Sequence, residues 1–193
     1  MTNEPHRSVP GLQPGAARQV VTVLEGRLVA ALDLQLVLKH VHWNVVGPNF
    51  ISVHEMLDKE VEVVRATGDA IAERIRTLGG VPRGTPQAIV DGRTWEDYPL
   101  DRALAMRHLE ELDRVYDGMI SDHRRAMDAV VDLDPVTQDM LIGQVAAMEL
   151  FQWFVRSFVE RASDTGNGNG NGNGNRNGAE IPPGAADNLE VRS

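Results

Sequence analysis

Apolar residues recur every three or four positions along most of the chain, which is the spacing of amphipathic helices. Four long segments carry this pattern, and the breaks between them contain Gly, Pro or Asp. Such residues stop or start helices, so they mark the predicted helix ends. The predicted helices span residues about 16–46, 50–78, 100–131 and 135–161.

The connection between the second and third helices, residues 79–99, is long, and its PQAIV stretch predicts a short helix. Four helices with one long crossover between helices 2 and 3 form the ferritin-like arrangement, not the up-down-up-down one. We therefore predict an all-α, ferritin-like four-helix bundle over residues 16–162. Residues 1–15 are predicted to be a flexible tail, and the Gly/Asn-rich residues 163–193 a disordered one.

Composition narrows the function classes. The chain has no Cys, which excludes disulfides and thiolate metal sites. No apolar run is long enough to span a membrane and no secretory signal is recognisable, so we expect a cytoplasmic protein. The net charge of −9 argues against nucleic-acid binding by a basic surface. It is compatible with a protein that handles cations.

The segment HVHWNVVGPNFISVHEMLD, residues 40–58, concentrates metal-binding side chains around a helix break. In the second helix His54 and Asp58 are four residues apart, as are Asp69 and Glu73, so each pair shares a helix face. Asp58 and Asp69 are separated by eleven residues, close to three whole turns. All four side chains therefore fall on one stripe, and His42 can join the first pair through the turn.

Distance divides these residues into two half-sites. Eleven residues rise about 16 Å along a helix, whereas metal–ligand bonds are near 2 Å, so one ion cannot contact both pairs. The half-sites could hold two separate metals. Alternatively, two chains could pack their second helices antiparallel, so that each half-site meets the opposite half-site of its partner. We favour the second arrangement because neither half-set has enough ligands to complete a site alone.

The spacing His-x11-His-x3-Asp-x10-Asp-x3-Glu, with GDAIAER and the later FQWFV, resembles the Dps family of mini-ferritins over roughly residues 16–162. This resemblance implies a ferroxidase with iron as its substrate. His-rich sites also bind Zn2+, which has no redox chemistry, so Zn2+ is a possible substitute in the site and a purely structural cage with Zn2+ is a further interpretation. The resemblance implies His42, His54 and Asp58 from one chain and Asp69 and Glu73 from its neighbour as ligands. It also implies a shell of twelve subunits that oxidises Fe(II) with hydrogen peroxide, stores ferric mineral and protects DNA from oxidative damage.

Further residues are candidates for roles outside the five ligands. Trp43 is either a buried anchor or an oxidisable side chain that intercepts radicals beside the site. In the acidic run before and within the fourth helix, Asp134 is expected to cap the helix. The resemblance makes Asp139 the candidate for a three-fold pore that admits iron. Other aromatic and histidine positions, expected in the core or outside any site, are Phe151, Trp153, Phe154, His40, His108 and His123.

DNA binding is the alternative function. The family name implies it, and a nucleoid-compacting protein with little ferroxidase role, associated with the nucleoid, would be its form here. However, residues 1–18 carry a net charge of only +1 and residues 161–193 a net charge of −1. Multiple copies add avidity, but few phosphates can be neutralised by such tails. The sequence therefore gives weak support to direct DNA contact.

Overall fold

A computed structural model describes residues 9–166, with side chains as far as residue 160. Five helices make up most of this described part. They are α1 (Pro14–Asn44), α2 (Phe50–Thr77), α3 (Pro86–Gly92), α4 (Ala105–Val130) and α5 (Pro135–Gly166). Helix α1 begins inside the predicted N-terminal tail, and α5 continues beyond residue 162. Of the two predicted tails, residues 1–8 and 167–193 lie outside the described residues.

The four long helices form the predicted bundle. Helix α1 packs along α2 and α4 packs along α5, while contacts between α1 and α4 and between α2 and α5 close the bundle. The short α3 lies in the crossover between α2 and α4 and packs on α1. The ferritin-like, all-α prediction with a short helix in this connection is therefore confirmed. One continuous apolar core fills the space between the helices.

Helix ends follow the local sequence. Gly79 has a φ of 88° just past α2, and the Gly80 N–H donates to the carbonyl of Ile75, which satisfies the last turn. Thr85 caps α3, because its side chain accepts a hydrogen bond from the Ala88 N–H. Within the described part of the chain, no helix is both long and apolar enough to cross a membrane.

A small parallel strand pair departs from the prediction. Strand β1 (Val45–Val46) follows α1 directly and pairs with β2 (Ala103–Leu104). Helix α1 therefore ends at Asn44, and α4 begins at Ala105 and not near residue 100. Leu104, predicted to face the core of the third helix, lies in β2 and is 56% exposed. Periodicity missed this pair because it depends on two segments far apart in sequence.

The crossover is fastened to α1 by polar contacts. Trp95 donates through Nε1 to Asp33 Oδ2 at 2.7 Å, and Arg93 forms an ion pair with the same carboxylate. Further along, His40 Nε2 donates to the carbonyl of Leu100 at 2.7 Å. His40 is thus engaged away from the candidate ligands, as expected. These contacts anchor the chain immediately before β2.

The bundle interior contains a carboxyl–phenol pair that the sequence analysis missed. Glu60 of α2 is 6% exposed, and the fully buried Tyr116 of α4 donates to its Oε1 at 2.8 Å. Burial raises the pKa of Glu60 to about 7, although the hydrogen bond from Tyr116 acts in the opposite direction. Glu60 is therefore largely protonated in the folded chain at mildly acidic pH, whereas it ionises in the unfolded chain.

Replacing Glu60 by Gln is expected to stabilise the protein at pH 8 but not at pH 4. The pKa of Glu60 is 4.5 in the unfolded chain and about 7 in the folded chain, so between these pH values only the unfolded chain releases the proton. The wild type therefore loses stability as pH rises from 4.5 to about 7. That loss amounts to roughly 3 kcal/mol per chain above pH 7. Urea unfolding at several pH values and fixed protein concentration measures it. Glu55→Gln, at an exposed position of α2, is the control, and equal pH profiles for Glu60→Gln and wild type would contradict the prediction.

Two histidines of α4 lie in the bundle interior and are not part of the cluster of candidate ligands. His108 and His123 are both fully buried. The hydroxyl of Tyr98 lies 3.0 Å from His108 Nδ1, which links the crossover to α4. Burial lowers the pKa of His123 to about 4, so this ring is neutral inside the bundle.

Candidate metal centre

The turn between α1 and α2 brings the first predicted half-site together. His42 lies in the last turn of α1, while His54 and Asp58 lie in the first turns of α2. Gly47 has a φ of 105°, a conformation that residues with a Cβ rarely adopt, and a Cβ added there would lie 3.0 Å from the Leu104 side chain. The Gly-Pro break is therefore the device that folds α2 back so that its ligands meet His42.

The three side chains form a compact cluster. His42, His54 and Asp58 each offer a ligand atom, and these atoms lie within 4.8 Å of one another. The two imidazole rings stack, with centroids 3.6 Å apart and planes inclined by 27°. His42 is buried, whereas the Asp58 side chain is 54% exposed. The cluster is therefore covered by protein at His42 and accessible to solvent at Asp58.

The donor atoms fit a divalent metal. His42 Nε2 is buried, lies 2.8 Å from Asp58 Oδ1 and has no hydrogen bond of good geometry, so a lone pair facing a cation would satisfy it. His54 donates through Nδ1 to the backbone carbonyl of His42 at 3.0 Å, which leaves its Nε2 free to bind. Imidazole nitrogen with carboxylate oxygen suits Fe(II) and also Zn(II).

Electrostatics keep Asp58 ready as a ligand. Its contact with His42 lowers the pKa of this carboxyl, and the hydrogen bond from Lys39 lowers it further, while burial acts in the opposite direction. Asp58 is therefore ionised in neutral solution. A metal ion does not have to displace a proton from it.

Lys39 is a part of the site that the sequence analysis missed. Its ammonium lies 3.3 Å from Asp58 Oδ1 and 3.3 Å from His42 Nδ1. It also lies 5.7 Å from the ring centroid of Trp43. Lys39 precedes His42 by three residues and so shares its helix face, which is the signal that could have identified it.

The second predicted half-site is not part of this cluster within the described protomer. Asp69 and Glu73 lie further along α2 and both are exposed. Asp69 also lines an open groove of about 630 Å³ between α1 and α2. Next to Glu73, Arg74 donates to Thr137 and Asp134 at the start of α5, which fastens this end of α2. The protomer thus presents both carboxylates outward from an anchored helix.

The other candidate residues lie outside the three-residue cluster. Trp43 is 72% exposed, so the buried-anchor interpretation is wrong for the protomer. Asp134 is buried, and although burial opposes it, hydrogen bonds from Thr137, Arg74 and the Val136 backbone lower its pKa, as expected of a helix cap. Asp139 is exposed on α5.

The prediction that the aromatic residues of α5 lie in the core is wrong for two of them. Phe151 is buried as predicted, but Trp153 is 61% exposed and Phe154 39% exposed, so neither belongs to the protomer core. Apolar residues surround most of the circumference of this helix. Aromatic character alone therefore does not distinguish its inner face.

Comparisons with known proteins agree with this fold. A family model described as a ferritin-like domain matches residues 22–164. A relative from Mycolicibacterium smegmatis, named "DNA protection during starvation protein", is 47% identical over 186 residues, covering 96% of this chain and 97% of the relative. The solved structure of Mycobacterium smegmatis Dps in its tetragonal form is 51% identical with a TM-score of 0.79, covering 82% of this chain and 94% of that chain. DpsA14 from Streptomyces coelicolor is also 51% identical, with a TM-score of 0.80 and the same coverage.

Proposed function

Because this chain belongs to the Dps family of ferritin-like proteins, we propose that it is a cytoplasmic ferroxidase that stores iron. In this proposal, Fe(II) is oxidised with hydrogen peroxide at centres shared by two protomers, and the ferric product accumulates in a hollow shell of twelve subunits. The observation that carries the proposal is the cluster of His42, His54 and Asp58. It offers three ligands and an open side, so other groups must complete the coordination.

Asp69 and Glu73 of the partner subunit are the groups we assign to that open side. Both are exposed on the same helix as His54 and Asp58, and Asp69 lies about 16 Å along the axis from Asp58. An antiparallel pairing of two α2 helices about a two-fold axis brings each outer pair to the cluster of the other chain. Two composite centres then form per pair of chains.

The chemistry follows from this ligand set. His42 and His54 bind Fe(II) through nitrogen, and the carboxylates stabilise Fe(III) through their charge. Two Fe(II) ions give one electron each to one hydrogen peroxide, which takes up two protons and yields two waters. Delivery of both electrons together avoids the hydroxyl radical that a single one-electron transfer releases. Trp43, exposed beside the cluster, is assigned the capture of stray oxidants, and Asp139 the entry of iron.

Protection of DNA then needs no contact with DNA. Removal of Fe(II) and peroxide from the surrounding solution eliminates the reactants that make radicals. This fits the net charge of −9, which disfavours phosphate binding.

The stoichiometry of oxidation tests this function. Anaerobic protein is mixed with Fe(II), peroxide is added in small portions, and the Fe(III) formed is measured spectroscopically. We expect about two irons oxidised per peroxide, a slower reaction in air, and inhibition by prior loading with Zn(II), which binds the same ligands without redox chemistry. One iron per peroxide, or indifference to Zn(II), would contradict the proposal.

A further inference from the structure

We propose that Lys39 is the resident cation of the metal-free centre, which a divalent metal must displace and which thereby sets the affinity of the site. This inference rests on the proposed metal centre, but it concerns binding and not oxidation. Its physical basis is that one ammonium contacts two of the three candidate ligands, His42 and Asp58, at equal distances of 3.3 Å.

The ammonium lies against Asp58 and against the Nδ1 edge of His42, next to the position that an ion bound to Nε2 would take. A carboxylate oxygen that binds a metal can still accept a hydrogen bond, so the competition at Asp58 is electrostatic: two cations held by one carboxylate repel each other. Lys39 is only 27% exposed at its side chain, which limits the screening of its charge by water. The metal ion and the ammonium therefore compete for the negative charge of Asp58.

The contact with His42 adds a second form of competition. An ammonium has only donors, so it donates to His42 Nδ1 and leaves the ring proton of a neutral imidazole on Nε2. The atom that faces Asp58 is Nε2, and it must be free of that proton to bind a metal. Departure of Lys39 allows the proton to reside on Nδ1 and exposes the lone pair of Nε2.

The ring of Trp43 provides a second binding partner for the displaced Lys39 ammonium. Trp43 follows it by one turn, and the ammonium already lies 5.7 Å from the ring centroid. A cation over an aromatic face keeps a favourable interaction after it leaves the ligands. Without a metal, Lys39 compensates the charge of Asp58 and of the two carboxylates assigned to the partner subunit.

Titration with Co(II) and Zn(II) tests the competition. In Lys39→Met, which keeps an unbranched side chain but removes the charge, we expect the affinity for Co(II), followed by its visible absorption, to rise more than about tenfold. The matched control is Lys59→Met, which removes the other lysine of the chain from an exposed position of α2; its affinity should change less than about twofold. An unchanged or weaker affinity in Lys39→Met would overturn the inference.

The wild-type protein provides a second test that needs no variant to fold. The chain contains only two lysines, Lys39 and Lys59, so reductive 13C-methylation yields two lysine signals besides that of the N-terminus. We expect Zn(II) to shift the Lys39 signal and leave that of Lys59 in place. An unmoved Lys39 signal with bound Zn(II) would refute displacement even if ferroxidation is normal. Normal displacement with one iron oxidised per peroxide would refute the proposed oxidation alone.

Discussion

Replacing His42 and Asp58 together by alanine is expected to slow peroxide-dependent oxidation of Fe(II) more than about 100-fold. Loss of a residue that only hydrogen-bonds to a metal ligand already lowers metal affinity or activity about 10–100-fold, and these two residues are proposed ligands themselves. The double variant retains only His54 of the three clustered ligands. Stopped-flow absorbance of Fe(III) formation in the first seconds after peroxide addition measures the effect.

The fold should survive this change. The Asp58 side chain is half-exposed, and His42 lies beside it in the last turn of α1 and is not one of the apolar core residues. Circular dichroism and size-exclusion chromatography are therefore expected to match the wild type. A fast phase that persists in an intact double variant would show that the cluster is not where iron is oxidised.

Replacing Asp69 and Glu73 by alanine is expected to cause a loss of similar size, more than about 100-fold, although this variant leaves His42, His54 and Asp58 intact. The reason is that the cluster lacks ligands on its open side, and the proposal places these two carboxylates there. The same stopped-flow assay measures the rate.

The matched control for this second variant removes two other carboxylates from the same helix. Glu55 and Glu62 are exposed on α2 and take no part in the cluster. Glu55→Ala/Glu62→Ala should therefore oxidise iron at close to the wild-type rate. If both double variants lost activity equally, general surface charge and not ligation would explain the effect.

Periodicity was enough to predict the bundle because four segments each present an apolar stripe, and because Gly, Pro and Asp mark their ends. The first half-site was predictable for a related reason. His54 and Asp58 share a helix face by spacing alone, and the Gly-Pro break had to return the chain towards His42. In both cases the information is local, within one helix and one turn.

The features that were missed depend on contacts between distant segments. Glu60 looks like any surface carboxyl of α2, and only the position of Tyr116 on α4 makes it a buried, hydrogen-bonded group. The pairing of β1 with β2 joins residues near 45 to residues near 103. Trp153 was expected inside, yet it lies on the outer face of a helix that is apolar almost all round.

The central claim is that each centre is built from two chains, and co-assembly of two inactive variants tests it most directly. His42→Ala/Asp58→Ala and Asp69→Ala/Glu73→Ala chains carry different tags, are co-expressed, and are purified through both tags. In a mixed pair, one composite centre combines the intact cluster of one chain with the intact carboxylates of the other. The second centre of that pair lacks both halves.

Random pairing in equal amounts makes half of the pairs mixed, each with one intact centre out of two, so about a quarter of the wild-type fast phase should return. Each variant assembled alone, and the two mixed after separate assembly, are expected to stay inactive. Recovery of about a quarter would establish a shared centre. An absence of recovery in shells that contain both chains would contradict it and place each half-site within a single protomer.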